Sequence, residues 1–193
     1  MAKQSLKIKK GSTLQEIFRW ETSKKIYKVI TGISNAAPVV ITSTAHGLPA
    51  SWRGKITNVV GMTDINDADT YREITKIDAN TLEINSINSV GYKAYVSGGI
   101  LEYPEPVNLS GFTARMQVRS DVDSETVLLE LTTENGGILI DSANSTIKLY
   151  LSAFSTAAIT WEKGIYSLEL TSSSGVVTEL LEGNITMLKE ISR

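Results

Sequence analysis

The chain has 193 residues, 41% of them apolar and 21% charged, with a formal net charge of −2. Those proportions are globular and exclude general disorder, and the charge balance gives no field for drawing in nucleic acid. Cysteine is absent, which removes disulfides, thiolate metal sites and cysteine nucleophiles. No apolar run approaches the roughly 20 residues of a membrane-spanning helix, so no membrane partner is expected. The start, MAKQSLKIKK, is basic but has no apolar signal core.

Isoleucine (20), valine (13) and threonine (20) make up more than a quarter of the residues. Such β-branched side chains lose rotamer freedom in helices and pack well on pleated sheets. Fourteen glycines and frequent Asn, Asp and Ser separate the apolar stretches where turns belong. The fold class that follows is all-β.

In chain order, strands are expected over 5–10 and 13–20. A region from about Val29 to Glu102 follows with a different texture, rich in Thr, Asn, Asp and Ile. It carries 5 basic residues against 7 acidic ones, whereas the rest of the chain is balanced. Pro104 and Pro106 are expected to break strand pairing, placing a junction at 103–107; the front junction falls near Lys24–Lys28. Phe112–Arg119 alternates Phe112, Ala114, Met116 and Val118 against Thr113, Arg115, Gln117 and Arg119. Strands at 127–132 and Thr146–Leu151 follow, the latter setting Ile147, Leu149 and Leu151 against Lys148 and Tyr150. Ser152 is a plausible N-cap for one short helix ending near Ile159. Ile165–Thr171 then sets Tyr166, Leu168 and Leu170 opposite Ser167 and Glu169, and a last strand covers 176–189. Period-2 alternation with one apolar face is the mark of antiparallel sheets.

Candidate chemistry is sparse. His46, in Thr44-Ala-His-Gly-Leu48, is the only histidine; it reads either as a general base or metal ligand, or as a turn residue bonded to neighbouring backbone, with Gly47 free to take positive φ. The second reading is adopted, because no other His or Cys exists to complete a zinc site. Asp64-Ile-Asn-Asp-Ala-Asp69 invites calcium, but an EF-hand loop counted from Asp64 fails at Ala68, Asp69 and Thr75. A solvated turn between strands is preferred over an irregular calcium loop. No nucleophile elbow, phosphate loop or dinucleotide fingerprint occurs. Asp121 with Asp123, or Glu179 with Glu182, would serve glycoside hydrolysis only if folded to about 5–9.5 Å across a cleft, and they read as exposed charges. No catalytic residue, metal or cofactor is assigned.

Lys3, Lys7, Lys9 and Lys10 form the one dense basic cluster. On an alternating strand Lys7 and Lys9 share a solvated face opposite Leu6 and Ile8, and the four lysines are candidate contacts for a partner subunit. Trp52, Tyr92 and Tyr95, the tyrosines lying near Gly98-Gly99, are candidate glycan-stacking residues, with a packed barrel surface as the alternative.

Two resemblances sharpen this picture. Pro38-Val-Val-Ile-Thr-Ser43, Ala45-His-Gly-Leu48, Val60-Gly-Met-Thr63, Asp78-Ala-Asn-Thr-Leu82 and Ser97-Gly-Gly99 occur in the order seen in a small β-barrel module. That module is named for its similarity to the first-catalytic-cysteine half-domain of ubiquitin-activating enzymes. The resemblance covers roughly 29–102 and implies a fold, not ubiquitin chemistry, which a cysteine-free chain cannot perform. Residues 5–22 with 107–193 resemble an immunoglobulin-like sandwich of phage tail-tip and baseplate upper proteins. Its carriers are Gly11-Ser-Thr-Leu-Gln-Glu-Ile-Phe-Arg-Trp20, Leu109-Ser-Gly-Phe-Thr-Ala-Arg-Met-Gln-Val-Arg119, Leu128-Leu-Glu-Leu-Thr-Thr133 and Leu168-Glu-Leu-Thr171. Together they imply an immunoglobulin-like antiparallel sandwich (1–28 plus 104–193) interrupted by a small β-barrel inserted at 29–103. An insertion into a surface loop costs little, because loop-closure entropy grows only as the logarithm of length.

The function implied is a non-enzymatic virion structural protein of a tailed bacteriophage, made in the bacterial host cytoplasm. It would sit in the tail, at the baseplate, tip or collar, and assemble with other virion proteins and copies of itself through β-edges and loops. The alternatives are a capsid decoration protein and a carbohydrate-binding module for host attachment.

Overall fold

The computed structural model describes residues 2–190. The protein is nearly all-β, 52% strand and 5% helix. In chain order the strands are β1 (Ala2–Lys3), β2 (Leu6–Lys9), β3 (Leu14–Arg19), β4 (Glu21–Val29), β5 (Gly32–Ile33), β6 (Val39–Thr42), β7 (Ser51–Val60), β8 (Arg72–Lys76), β9 (Thr81–Ile84), β10 (Ser97–Pro106), β11 (Thr113–Arg119), β12 (Leu129–Thr132), β13 (Ile138–Asp141), β14 (Thr146–Leu151), β15 (Lys163–Thr171) and β16 (Val177–Leu188). One helix, α1 (Ala153–Ala158), lies between β14 and β15; the Ser152 side chain caps it by accepting from the Ser155 N–H.

Two compact units divide the chain. The first comprises 2–19, 109–142 and 146–190; the second comprises 20–108 with 143–145. The first unit is sandwich-like. One sheet runs β1–β16–β15–β11–β12, with β2 also on β16, and the other runs β13–β14–β3. Alternation decides what each sheet buries: Ala114, Met116 and Val118 on β11, Tyr166, Leu168 and Leu170 on β15, and Ile147, Leu149 and Leu151 on β14 are all buried. The N-terminal arm departs from the antiparallel expectation. β1 and β2 both lie parallel to β16, and Leu6 and Ile8 are buried while Lys7 and Lys9 face outward.

The second unit is a small barrel. Its sheet runs β4–β10–β7–β8–β9–β6–β5, and the chain itself closes the ring. Ile30, just past β4, donates its N–H to Gly99, and Thr31 donates to Thr42 at the β5–β6 side. Inward residues from every side, among them Ile30, Ile41, Trp52, Ile74, Leu82 and Leu101, form one buried cluster.

The junctions lie further out than the composition suggests. Residues 28 and 29 fall inside β4, and 103 and 104 fall inside β10, because these two long strands pair with each other from Ile100↔Val29 to Pro106↔Glu21. Pro104 and Pro106 therefore do not end the pairing. Pairing with β7 stops at Glu102↔Lys55, and the Pro104 carbonyl beyond it accepts from the Trp52 indole N–H on β7. In a strand a residue's N and C=O point to the same side, so the donor that Pro104 lacks is not one the β4 ladder uses. A register shift at Glu105 absorbs the second proline.

Candidate functional site

A concavity of about 710 Å³ lies within the first unit. It is built on the outward face of the β16–β15–β11 sheet, where register stacks side chains in rows across strands. Glu182 stands opposite Ser167 and Ser167 opposite Gln117; in the next row Asn184 stands opposite Ile165 and Ile165 opposite Arg119. Lys3 to Ser5 wall one side and Asp121 with Val122 the other.

Three hydrogen bonds and one ion pair hold the floor. Arg119 donates to the Gln117 side-chain oxygen (3.0 Å) and to the Ser124 carbonyl (2.6 Å), and the Gln117 amide donates in turn to Glu130 (2.7 Å). Lys3 pairs with Glu182 at 3.1 Å. Beneath them the buried Tyr166 hydroxyl donates to the Gln4 carbonyl at 2.8 Å, and burial pushes that phenol up to about 12.

The groove gathers Asp121, Glu179 and Glu182, the carboxylates that sequence reading left as separate surface charges. Alternation placed Gln117, Arg119 and Ser167 on polar strand faces. It carries no information on which strands are neighbours, so the array itself was not legible. The four lysines lie along the first ten residues. Lys3 belongs to the groove wall, Lys7 and Lys9 stand exposed on β2, and Lys10 lines a separate depression of about 260 Å³ with Trp161 and Glu162.

In the second unit, the Trp52–Tyr92–Tyr95 platform is corrected at Trp52. That side chain is 0% exposed inside the barrel, because β7 alternation turns it inward with Gly54 and Ile56, so it cannot stack on a sugar. Tyr92 and Tyr95 pack half-buried against the barrel core, and the Tyr95 hydroxyl is engaged by the Ile30 and Gly98 carbonyls. A different tyrosine organises the outer face. The Tyr71 ring has the cations of Lys25, Arg53 and Lys55 at 5.1, 5.2 and 5.3 Å from its centroid, and its hydroxyl donates to Glu102 at 2.5 Å. Burial and then that hydrogen bond raise Tyr71 to about 12. Arg53 and Lys55 are also paired, with Glu21 and Glu102, so the cluster ties β4, β7 and β10 together.

His46 is a structural turn residue. It is fully buried; its Nδ1 accepts from the Leu48 N–H (3.1 Å), which makes Nε2 the donor to the Asp78 carbonyl (2.9 Å). Its own carbonyl accepts from the Tyr103 hydroxyl, and Gly47 takes φ +73°. In the 64–69 loop the Asp67 carboxylate is occupied by the Thr70 and Asp69 N–H groups and by Arg72. The Thr70 backbone bond leads in holding it below the usual carboxylate range. Asn66 is likewise spent, its amide bonding both the N–H and the carbonyl of Val59.

Compared with protein-family models and with curated proteins, the sequence matches none.

Proposed function

We propose that the protein is a non-enzymatic structural subunit of a tailed-phage virion, placed in the tail at the baseplate, tip or collar. It assembles in symmetric copies through sandwich edges, with the barrel as an appended module. The resemblances of both segments to phage-associated modules support this reading, and fold likeness is an associational warrant for function.

The observation that carries it is the three-stranded sheet. β14 is its centre, so β3 and β13 are both edges, and each edge bears an exposed apolar residue on the outward face. Ile17 on β3 is 61% exposed and Leu139 on β13 is 51% exposed, both in register with Lys148 between them. Unpaired edges with apolar side chains are templates for strand addition. Since β3 and β13 both run antiparallel to β14, joining the β3 edge of one copy to the β13 edge of the next extends the sheet. It also brings Ile17 beside Leu139 of the neighbouring copy. A repeated edge-to-edge contact of this kind is heterologous and closes into a ring when the rotation allows.

The occupant of these edges is therefore a second copy of the chain. Light scattering coupled to size-exclusion chromatography is expected to find a concentration-dependent multimer. The Ile17→Lys/Leu139→Lys variant is expected to be monomeric with a near-native melting temperature. A cross-strand aliphatic pair on an outward face contributes roughly 0.2–1 kcal/mol and two lysines directly opposite repel, so the double change is expected to weaken each contact by about tenfold. A monomeric native chain up to high concentration, or an unchanged multimer in the variant, would overturn the edge assignment.

A further inference from the structure

We infer that the groove on the outward face of β16, β15 and β11 is a binding site for a neutral oligosaccharide. The groove's chemistry does not depend on whether the chain is a virion subunit.

Three features select the ligand class. The first is charge. Two cations, Lys3 and Arg119, meet three carboxylates, Asp121, Glu179 and Glu182, and Lys3 is already paired with Glu182. Neither a phosphate nor a polycation gains from such a balance, whereas a neutral ligand avoids the desolvation of an unpaired charge. The second is the mixture of donors and acceptors. Sugar hydroxyls both donate and accept. Across the floor they meet a carboxylate at Glu182, amides at Gln117 and Asn184 and a hydroxyl at Ser167, standing in two adjacent rows.

These groups differ in how far they are pre-set. The Gln117 amide is locked, accepting from Arg119 and donating to Glu130, which leaves one amide hydrogen for a ligand. The Asn184 amide and Ser167 hydroxyl make no side-chain hydrogen bond among the described residues. The third feature is a small apolar element within the polar field. Ile165 lies in the middle of its row and Val122, 83% exposed, stands on the wall, matching the C–H face of a pyranose ring.

An extended peptide fits less well. The floor strands β15 and β11 are paired on both sides, so they offer no free backbone for strand addition. A volume of about 710 Å³ lies within the usual range of small-ligand sites.

The test is titration of the isotope-labelled full chain with three neutral trisaccharides, maltotriose, cellotriose and triacetylchitotriose, followed by amide chemical shifts. A heparin-derived acidic oligosaccharide and an unstructured peptide serve as controls. At least one neutral trisaccharide is expected to give saturable shifts centred on Gln117, Ser167, Glu182 and Asn184, unchanged between low and high salt. Asn184→Ala and Ser167→Ala, both on a solvent-facing sheet surface, are each expected to weaken binding about tenfold, the equivalent of one well-made hydrogen bond. Native-like spectra of these variants establish that they fold. The inference is overturned if none of the three trisaccharides gives saturable shifts, or if the shifts map elsewhere. It is equally overturned if only the acidic oligosaccharide or the peptide binds. Because the mapping is made on the native chain, it decides the matter even where a variant misfolds.

Discussion

Trp52→Ala is expected to destabilise the barrel unit by about 4–6 kcal/mol, most of what a domain of this size has to lose. The indole is fully buried within the cluster that also holds Ile74, Leu101 and Tyr103, so truncation leaves a cavity bounded by strands that cannot collapse into it. It also orphans the Pro104 carbonyl, which accepts from the indole N–H at 2.8 Å. This bond compensates for the ladder that β7 no longer supplies to β10 beyond Glu102↔Lys55. Trp52→Phe separates the two contributions, keeping most of the packing and losing the hydrogen bond, and is expected to cost about 1–3 kcal/mol. Chemical denaturation followed by far-UV circular dichroism measures both. A loss below about 1 kcal/mol for Trp52→Ala would contradict the placement of this side chain in the core.

Gly183→Ala is expected to detach the first strand from the sandwich unit. Gly183 does not serve a turn; it lies within β16 opposite Tyr166. A Cβ there would stand 2.0 Å from the Gln4 carbonyl oxygen and 2.8 Å from its carbon, closer than any rotamer change relieves. The same carbonyl is held by the Tyr166 hydroxyl, and the Gln4 N–H donates to Glu182 at 3.0 Å. Only glycine lets the arm lie down at this point, and the added methyl removes both bonds together. The expected loss is about 2–5 kcal/mol, from overpacking and two hydrogen bonds.

Hydrogen exchange reads the effect locally. The Gln4 amide loses its protection, while the amides of β11 and β15 retain theirs up to the lowered global stability. Tyr166→Phe, which removes one bond and adds no atom near Gln4, is expected to cost about 1 kcal/mol. An equally protected Gln4 amide in Gly183→Ala would contradict this packing. Because Lys3 to Ser5 wall the groove, the same substitution is expected to open it.

Much of the strand content was readable because it depends on local alternation. Expected strands at 112–119, 146–151 and 165–171 correspond to β11, β14 and β15 within two residues, and Ser152 caps α1 as anticipated. His46 followed from its neighbours only at Nδ1, which accepts from the Leu48 N–H two residues on; the Asp78 carbonyl at Nε2 lies 32 positions along the chain.

What failed to show in the sequence depends on partners far along the chain. β10 runs through two prolines because β4 supports it on one side and the Trp52 indole meets it on the other. Trp52 is the exception: its inward turn follows the local parity of β7, where Trp52, Gly54 and Ile56 alternate with Arg53, Lys55 and Thr57. The parallel seating of the N-terminal arm on β16 rests on Gly183, 179 positions after Gln4 by number. The groove needed three strands to be placed side by side before Gln117, Ser167 and Asn184 became one surface.

The proposed function is tested most directly by cryo-electron microscopy of whatever virus-like particle is encoded alongside this chain, with the density traced into subunits. The expected result is a ring of copies in the tail, at the baseplate, tip or collar, in which β3 of one copy lies beside β13 of the next and Ile17 and Leu139 are covered. Density for the chain on the capsid shell alone, or its absence from the particle, would contradict it.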